Sequence, residues 1–183
     1  MKRVKERSFL HVPELFMFLL LCWFSSCNDH SQPVENTVNF TMTDDTVIKY
    51  NREIVQAESQ DIEDFISRYK WNMVKTPTGL RYMIYKQGSG RHPVGGDQVT
   101  INYSLKLLDG KEIVKPGSSD TLKFKLSTGK VPGGLEEGIM LMTAGARAKL
   151  VVPSHLAFGL LGDLDNIPNR AVLVYDVELC RIN

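Results

Sequence analysis

The chain has 183 residues, 43% of them hydrophobic and 23% charged, and carries a net charge of +1. That length suits one domain with additions, and the composition is that of an ordinary globular chain. The balanced charge excludes nucleic-acid binding driven by bulk electrostatics.

Lys2, Arg3, Lys5 and Arg7 open the chain, Leu15 to Phe24 is apolar, and Ser25, Ser26 and Cys27 follow. The apolar run is well short of the roughly 20 residues a spanning helix needs. A basic start, an apolar stretch and small residues form the pattern of a secretory signal, here residues 1–26. Phe24-Ser25-Ser26-Cys27 resembles a bacterial lipobox, with Phe24 in place of the usual Leu. That resemblance implies lipidation of Cys27, attachment to a membrane through the lipid, and a periplasm-facing place in the cell envelope. Asn28, where an Asp favours inner-membrane retention, points to the outer membrane. Residues 27–43 are polar and aperiodic and read as a flexible tether. Of the three cysteines, only Cys180 lies beyond the signal and the lipid site. No internal disulfide is then expected, and the apolar context of Cys180 predicts a small core residue.

Residues 44–75 read as a helical extension. Val47, Ile48, Ile54, Val55, Ile62, Phe65, Ile66 and Tyr69 recur at helical spacing, Asp44 or Asp45 caps the start, and Glu58-Ser59-Gln60 suggests a break into two helices. Such a helix either packs on its own domain or serves as a dimerisation or substrate-cradling element.

Residues 76–183 read mainly as strands. Leu80–Tyr85 is a short one. Val99, Ile101, Tyr103, Leu105 and Leu107 alternate with polar residues, the period of a half-buried strand. Asp109-Gly110 is a hairpin turn signal. Leu122–Leu126 is a further strand, Leu135–Met142 a short amphipathic helix, and Ala148, Leu150 and Val152 alternate again. A last strand runs from Ala171 to Leu179. The expectation is an α+β fold, an antiparallel sheet of about five to six strands wrapped over one short helix and preceded by a helical segment.

Conventional catalytic signatures are missing. His11, His30, His92 and His155 have no partner at metal-ligand spacing, and Gly88-Ser89-Gly90 lacks the Lys-Ser/Thr of a phosphate loop. Asp163, Asp165 and Asn166 lack the Gly and the terminal Glu of a calcium loop.

A series of ordered segments is more specific. Thr78-Gly79-Leu80-Arg81-Tyr82, Lys86-Gln87-Gly88-Ser89-Gly90, Val99–Tyr103 and Leu108–Ile113 come first. Gly134-Leu135-Glu136-Glu137-Gly138, Gly145–Pro153, Leu156-Ala157-Phe158-Gly159, Ile167-Pro168 and Ala171–Leu179 follow. Together they resemble the FK506-binding-type peptidyl-prolyl isomerases, over about residues 78 to 183 without large gaps. With the lipobox and the preceding helix added, the chain resembles the gliding-motility-associated lipoprotein isomerases of the Bacteroidetes.

The resemblance implies an enzyme that rotates X-Pro peptide bonds in polypeptide clients, with no cofactor and no metal. Its motif places Tyr103, Ile113, Val131, Leu135, Phe158, Ile167 and Tyr175 in the catalytic pocket. Leu122, Phe124, Val114 and Gly133 take substrate-binding positions. Tyr103 and Tyr175 would be aromatic walls and Leu135 the floor, where the family often has Trp. Ile113 and Leu122 replace frequent Phe. Val114 stands where Asp is usual, and Phe158 where Tyr is usual. Pro132 stands near the position whose N–H binds the substrate carbonyl, and proline has no N–H; Gly133 is the alternative donor. These departures keep a second reading open, a peptide-binding module without turnover.

Overall fold

A computed structural model describes residues 44–115 and 121–183, all within one compact unit, Met42–Asn183. The signal segment, Cys27 and the tether lie outside the described residues. The elements in chain order are helix α1 (Asp44–Arg68), strands β1 (Val74–Lys75), β2 (Arg81–Lys86), β3 (Gln98–Leu107), β4 (Glu112–Val114) and β5 (Thr121–Lys125), helix α2 (Gly133–Met140), strand β6 (Arg147–Val152), a 3-10 turn (Ser154–Leu156) and strand β7 (Leu173–Ile182).

Seven strands form one antiparallel sheet in the order β1-β2-β6-β7-β3-β4, with β5 also paired to β3. The short strand β1 raises the count above the sequence expectation, and its residues fall within the stretch read as helical extension. Strand β3 organises the sheet. It pairs with β7 along one edge, and on the other with β5 from Gln98 to Asn102 and with β4 at Leu105 and Lys106. The expected turn joins β3 to β4: the Gly110 N–H donates to the Leu107 carbonyl at 3.0 Å and the Leu107 N–H to the Lys111 carbonyl at 2.9 Å.

The concave face of the sheet closes over α2. Val99, Ile101, Leu150, Leu173 and Leu179 are fully buried there beside Leu135 and Ile139 of the helix. Each such side chain contributes roughly 1.5–3 kcal/mol relative to exposure. The sheet's other face has its own smaller core, where Ile62, Phe65 and Ile66 of α1 pack against Val151, Val172 and Val174. Strand β7 is therefore buried on both faces at its Leu173–Tyr175 end. The alternation read over 171–179 concealed this, because Val172 and Val174 are as apolar as their inward neighbours.

Helix α1 is continuous through Glu58-Ser59-Gln60, contrary to the expected break. The polar residues there anchor the helix. The Glu58 carboxylate accepts the Ser154 N–H at 3.0 Å and also the Ser154 hydroxyl, and Ser59 Oγ accepts from Arg81 Nη2 at 2.7 Å. Arg81 is buried and donates to Glu63 Oε1 from Nη2 at 2.8 Å and to the Gly79 carbonyl at 2.6 Å. A buried guanidinium needs such a set of acceptors. The helix ends where Lys70 takes a left-handed φ of 54° and the Trp71 N–H reaches back to the Ile66 carbonyl at 3.1 Å, a C-terminal capping arrangement.

Cys180 is exposed, not a core residue. Leu179 is the inward residue at that level of β7 and is fully buried, so period-two alternation turns Cys180 to the other face. The apolar cluster under α1 does not extend to that position.

Candidate functional site

Between the sheet and the N-terminal end of α2 lies an open cavity of about 520 Å³. Strand β3 contributes Tyr103, β4 contributes Ile113 and Val114, and β5 contributes Leu122. Val131 and Gly133 come from the entry into α2, and Leu135 from its first turn. Phe158 and Ile167 come from the long connection after β6, and Tyr175 from β7. Six segments distant in sequence thus converge, four of them because β3 pairs with β4, β5 and β7 at once.

Phe124 is the one expected site residue that does not line this cavity. It is 4% exposed and belongs to the main core. Register explains the difference: Leu122 pairs with Ile101, whereas Phe124 pairs with Val99, farther along β3 from Tyr103. The cavity also includes Pro132, expected near the substrate carbonyl, and Leu105, Gly129, Lys130 and Ala157, which were not among the expected site residues. Leu105 was legible, since it lies two residues from Tyr103 on the same face of β3. Lys130 had no signal, being a single charge in a polar loop.

The walls are aromatic. The Tyr103 and Tyr175 rings lie 6.0 Å apart between centroids and are tilted by 43°. Burial, and then the neighbouring Tyr103, push the Tyr175 hydroxyl above its ordinary pKa. Leu135 is 1% exposed and forms the floor. Lys130 is the one charged side chain among the described residues lining the cavity. No carboxylate, imidazole or thiol among them stands ready for proton transfer or nucleophilic attack. No group of three or more His, Cys, Asp or Glu among the described residues is placed to hold a metal ion.

The donors come from backbone. Pro132 precedes α2, and its carbonyl accepts the N–H groups of Leu135 at 3.0 Å and Glu136 at 3.1 Å. The first N–H groups of a helix have no acceptor within it. In α2 these belong to Gly133 and Gly134, and Gly133 lines the cavity. Glu136 steadies the preceding loop: its Oε2 accepts the Ser127 N–H at 3.2 Å, while Oε1 is buried without a partner.

Comparison with known proteins places this architecture. A family model described as "FKBP-type peptidyl-prolyl cis-trans isomerase" matches residues 89–180. The chain is 41% identical over 108 residues to "FKBP-type peptidyl-prolyl cis-trans isomerase FkpA" of Escherichia coli (strain K12), which covers 58% of this chain and 39% of that protein. It is 36% identical over 141 residues to the protein of the same name from Aeromonas hydrophila, covering 75% of this chain and 51% of the relative. The chain thus spans between two fifths and about half the length of these relatives. The crystal structure of FkpA from Escherichia coli superposes with a TM-score of 0.62 at 27% identity, over 93% of this chain and 81% of that one. With a family match over half its length and the same fold, this chain belongs to the FKBP-type peptidyl-prolyl cis-trans isomerase family.

Proposed function

We propose that the chain is a peptidyl-prolyl cis-trans isomerase acting on proline-containing polypeptides in the cell envelope. The observation that carries this reading is the open apolar cavity between Tyr103, Tyr175 and Leu135, large enough for a prolyl ring and lined by no carboxylate, imidazole or thiol among the described residues. Rotation about an X-Pro bond makes and breaks no covalent bond, but it sacrifices amide resonance behind a barrier of about 18–20 kcal/mol. A planar amide carries the larger carbonyl dipole. Moving it from water into an apolar cavity withdraws solvation from that planar form. The twisted amide loses less, so the barrier falls. The ring seats against Leu135 between the tyrosines, and Ile113, Val131, Phe158 and Ile167 exclude water. Val114 and Leu122 border the flanking residues, and the Gly133 N–H serves the substrate carbonyl.

A second reading, a peptide-binding module without turnover, is favoured by three residues in the cavity. Pro132 offers no N–H, Phe158 no hydroxyl and Val114 no carboxylate. A protease-coupled assay with a proline tetrapeptide, on the chain from residue 28 onward, decides between them. Catalysed exchange is expected. A rate equal to the uncatalysed one, with peptide binding retained, leaves the module.

The lipobox-like segment supports lipidation of Cys27, with residues 27–43 as tether and residues 76–183 as the isomerase domain at the outer membrane. The Bacteroidetes gliding lipoproteins are the proposed setting. Loss of labelled-palmitate incorporation in Cys27→Ser is the expected result. The first half of α1 leaves Ile48 54% and Val55 56% exposed, which supports pairing of two chains through this helix. Sedimentation of the chain beside Ile48→Asp tests it.

A further inference from the structure

Lys130 is exposed, and no carboxylate among the described residues forms an ion pair with it. An exposed lysine is ordinary by itself. This one borders a cavity whose other described lining residues are all uncharged, so no charge in the lining offsets its field. The carboxylates of α2 and of the connection after β6 are engaged elsewhere. Glu136 Oε2 accepts the Ser127 N–H at 3.2 Å, and Glu137 accepts the Thr78 hydroxyl at 2.8 Å. Asp163 Oδ1 accepts the N–H groups of Ile167 at 2.7 Å and Asp165 at 3.0 Å, and Asp165 Oδ2 accepts from Asn166 Nδ2 at 2.7 Å. Glu112 precedes Ile113 but lines a different cavity, together with Lys106 and Lys149.

The loop that carries Lys130 is fixed on both sides of it. Ser127 and Gly129 hold left-handed φ angles of 60° and 68°. In a non-glycine residue such as Ser127 that conformation persists only where the surroundings impose it. Here the Leu126 N–H donates to the Asp97 carbonyl at 2.9 Å, the Ser127 N–H to Glu136, and the Thr128 hydroxyl to the Lys125 carbonyl at 2.7 Å. On the other side Val131 lines the cavity, and the Pro132 carbonyl accepts the first N–H groups of α2 that find a partner. Lys130 is thus held three residues ahead of Gly133, whose N–H serves the client's carbonyl. The flexible four-carbon stem of a lysine spans such a separation.

We infer that Lys130 is a specificity-determining residue, favouring clients that carry an acidic side chain next to the proline. The client is held by its prolyl ring and its carbonyl, so a carboxylate on the adjoining residue comes within reach of the ammonium. The inference rests on the peptide-binding reading of the cavity and adds a charge preference to it. One exposed ion pair strengthens binding only up to about fivefold. It still discriminates, because a basic residue in the same place is repelled and specificity is the difference between the two. Salt must weaken the preference, since the screening length falls from about 10 Å at 0.1 M to about 3 Å at 1 M.

The test measures cis–trans exchange by NMR in two peptide series with uncharged ends, acetyl-Ala-Xaa-Pro-Phe-amide and acetyl-Ala-Phe-Pro-Xaa-amide, where Xaa is Glu, Gln or Lys. In at least one series the unaltered chain is expected to show kcat/KM about fivefold higher for Glu than for Lys at low salt, with Gln between them. That ratio is expected to fall toward one in about 1 M salt. Lys130→Glu should invert the ratio and Lys130→Gln should flatten it. Each ratio is taken within one protein, so an overall change in activity cancels. A ratio near one in both series at low salt, or a ratio that Lys130→Glu leaves as it was, overturns the proposal and makes Lys130 a solvated surface charge. Failure of the enzyme reading is separate. No catalysed exchange with any peptide overturns that reading, and the Kd ratio for the same peptides, from titration of the chain's amide resonances, then decides on Lys130 by the same criteria.

Discussion

Tyr103 on β3 and Tyr175 on β7 meet across paired strands, with ring centroids 6.0 Å apart, yet their environments differ. Tyr175 is 3% exposed, whereas Tyr103 is half-buried at the cavity. Truncating them therefore separates folding from catalysis. Tyr175→Ala is expected to destabilise the fold by about 3–5 kcal/mol, as for other buried aromatics. Tyr103→Ala is expected to keep most stability and to lower kcat/KM about tenfold. Urea denaturation beside the tetrapeptide assay checks both, and equal losses of stability in the two variants would remove the distinction.

Gly133→Pro deletes one hydrogen-bond donor and little else. Proline suits the first position of a helix, and Pro132 already has the extended φ of −52° and ψ of 137° that a residue before proline prefers. A Cβ at Gly133 meets no atom within 4 Å. The expected result is a native melting curve with kcat/KM reduced by about 10²-fold, the usual scale for a lost backbone donor. Gly133→Ala keeps the N–H and should retain activity. If Gly133→Pro turns over as fast as the unaltered chain, that N–H is not the donor.

Gly138→Ala runs against helix propensity. Alanine is favoured over glycine in a helix by about 1 kcal/mol, but a Cβ at Gly138 would lie 2.5 Å from Leu150 Cδ1. The buried Leu150 side chain, or helix α2 against it, would have to shift. A net loss of about 1–3 kcal/mol is expected, read from the urea midpoint, and a stabilised Gly138→Ala would show that the contact yields cheaply.

Alkaline pH should weaken the fold through two phenols. Burial, and then the hydrogen bond to Asp176 at 2.6 Å, push Tyr85 up to about 12, and burial raises Tyr175 further. The unfolded chain releases these protons near pH 10. Between that pH and the folded values the native state binds more protons, so stability falls as pH rises. Their contribution is whole below about pH 10 and is lost upward through 12. The urea midpoint between pH 8 and 12 checks this, and Tyr85→Phe should flatten part of the decline.

Much of the site was legible because β3 alternates cleanly and the residues after it follow a family order, so Tyr103, Leu135 and Tyr175 could be joined before any geometry. Phe124 could not be separated from Leu122 in that way. Both occupy the same face of β5, and only the register against β3 decides which one reaches the cavity. Helix continuity at Glu58-Ser59-Gln60 was hidden for a related reason: a polar interruption in an apolar stripe looks the same whether it ends a helix or bonds to Ser154 and Arg81. The exposure of Cys180 likewise depends on where the covering helix stops, which composition does not encode.

The double burial of β7 bears on how this protein can be cut. Its hydrophobic reverse side is shielded by α1, and β6 takes its second neighbour from β2. A fragment confined to residues 89–180, the span shared with the family, would bare Val151, Val172 and Val174 and leave the backbone of β6 open to pairing with a stranger. Such a fragment should precipitate. The shortest piece expected to stay dispersed in water begins upstream of Glu58, whose carboxylate bonds to Ser154.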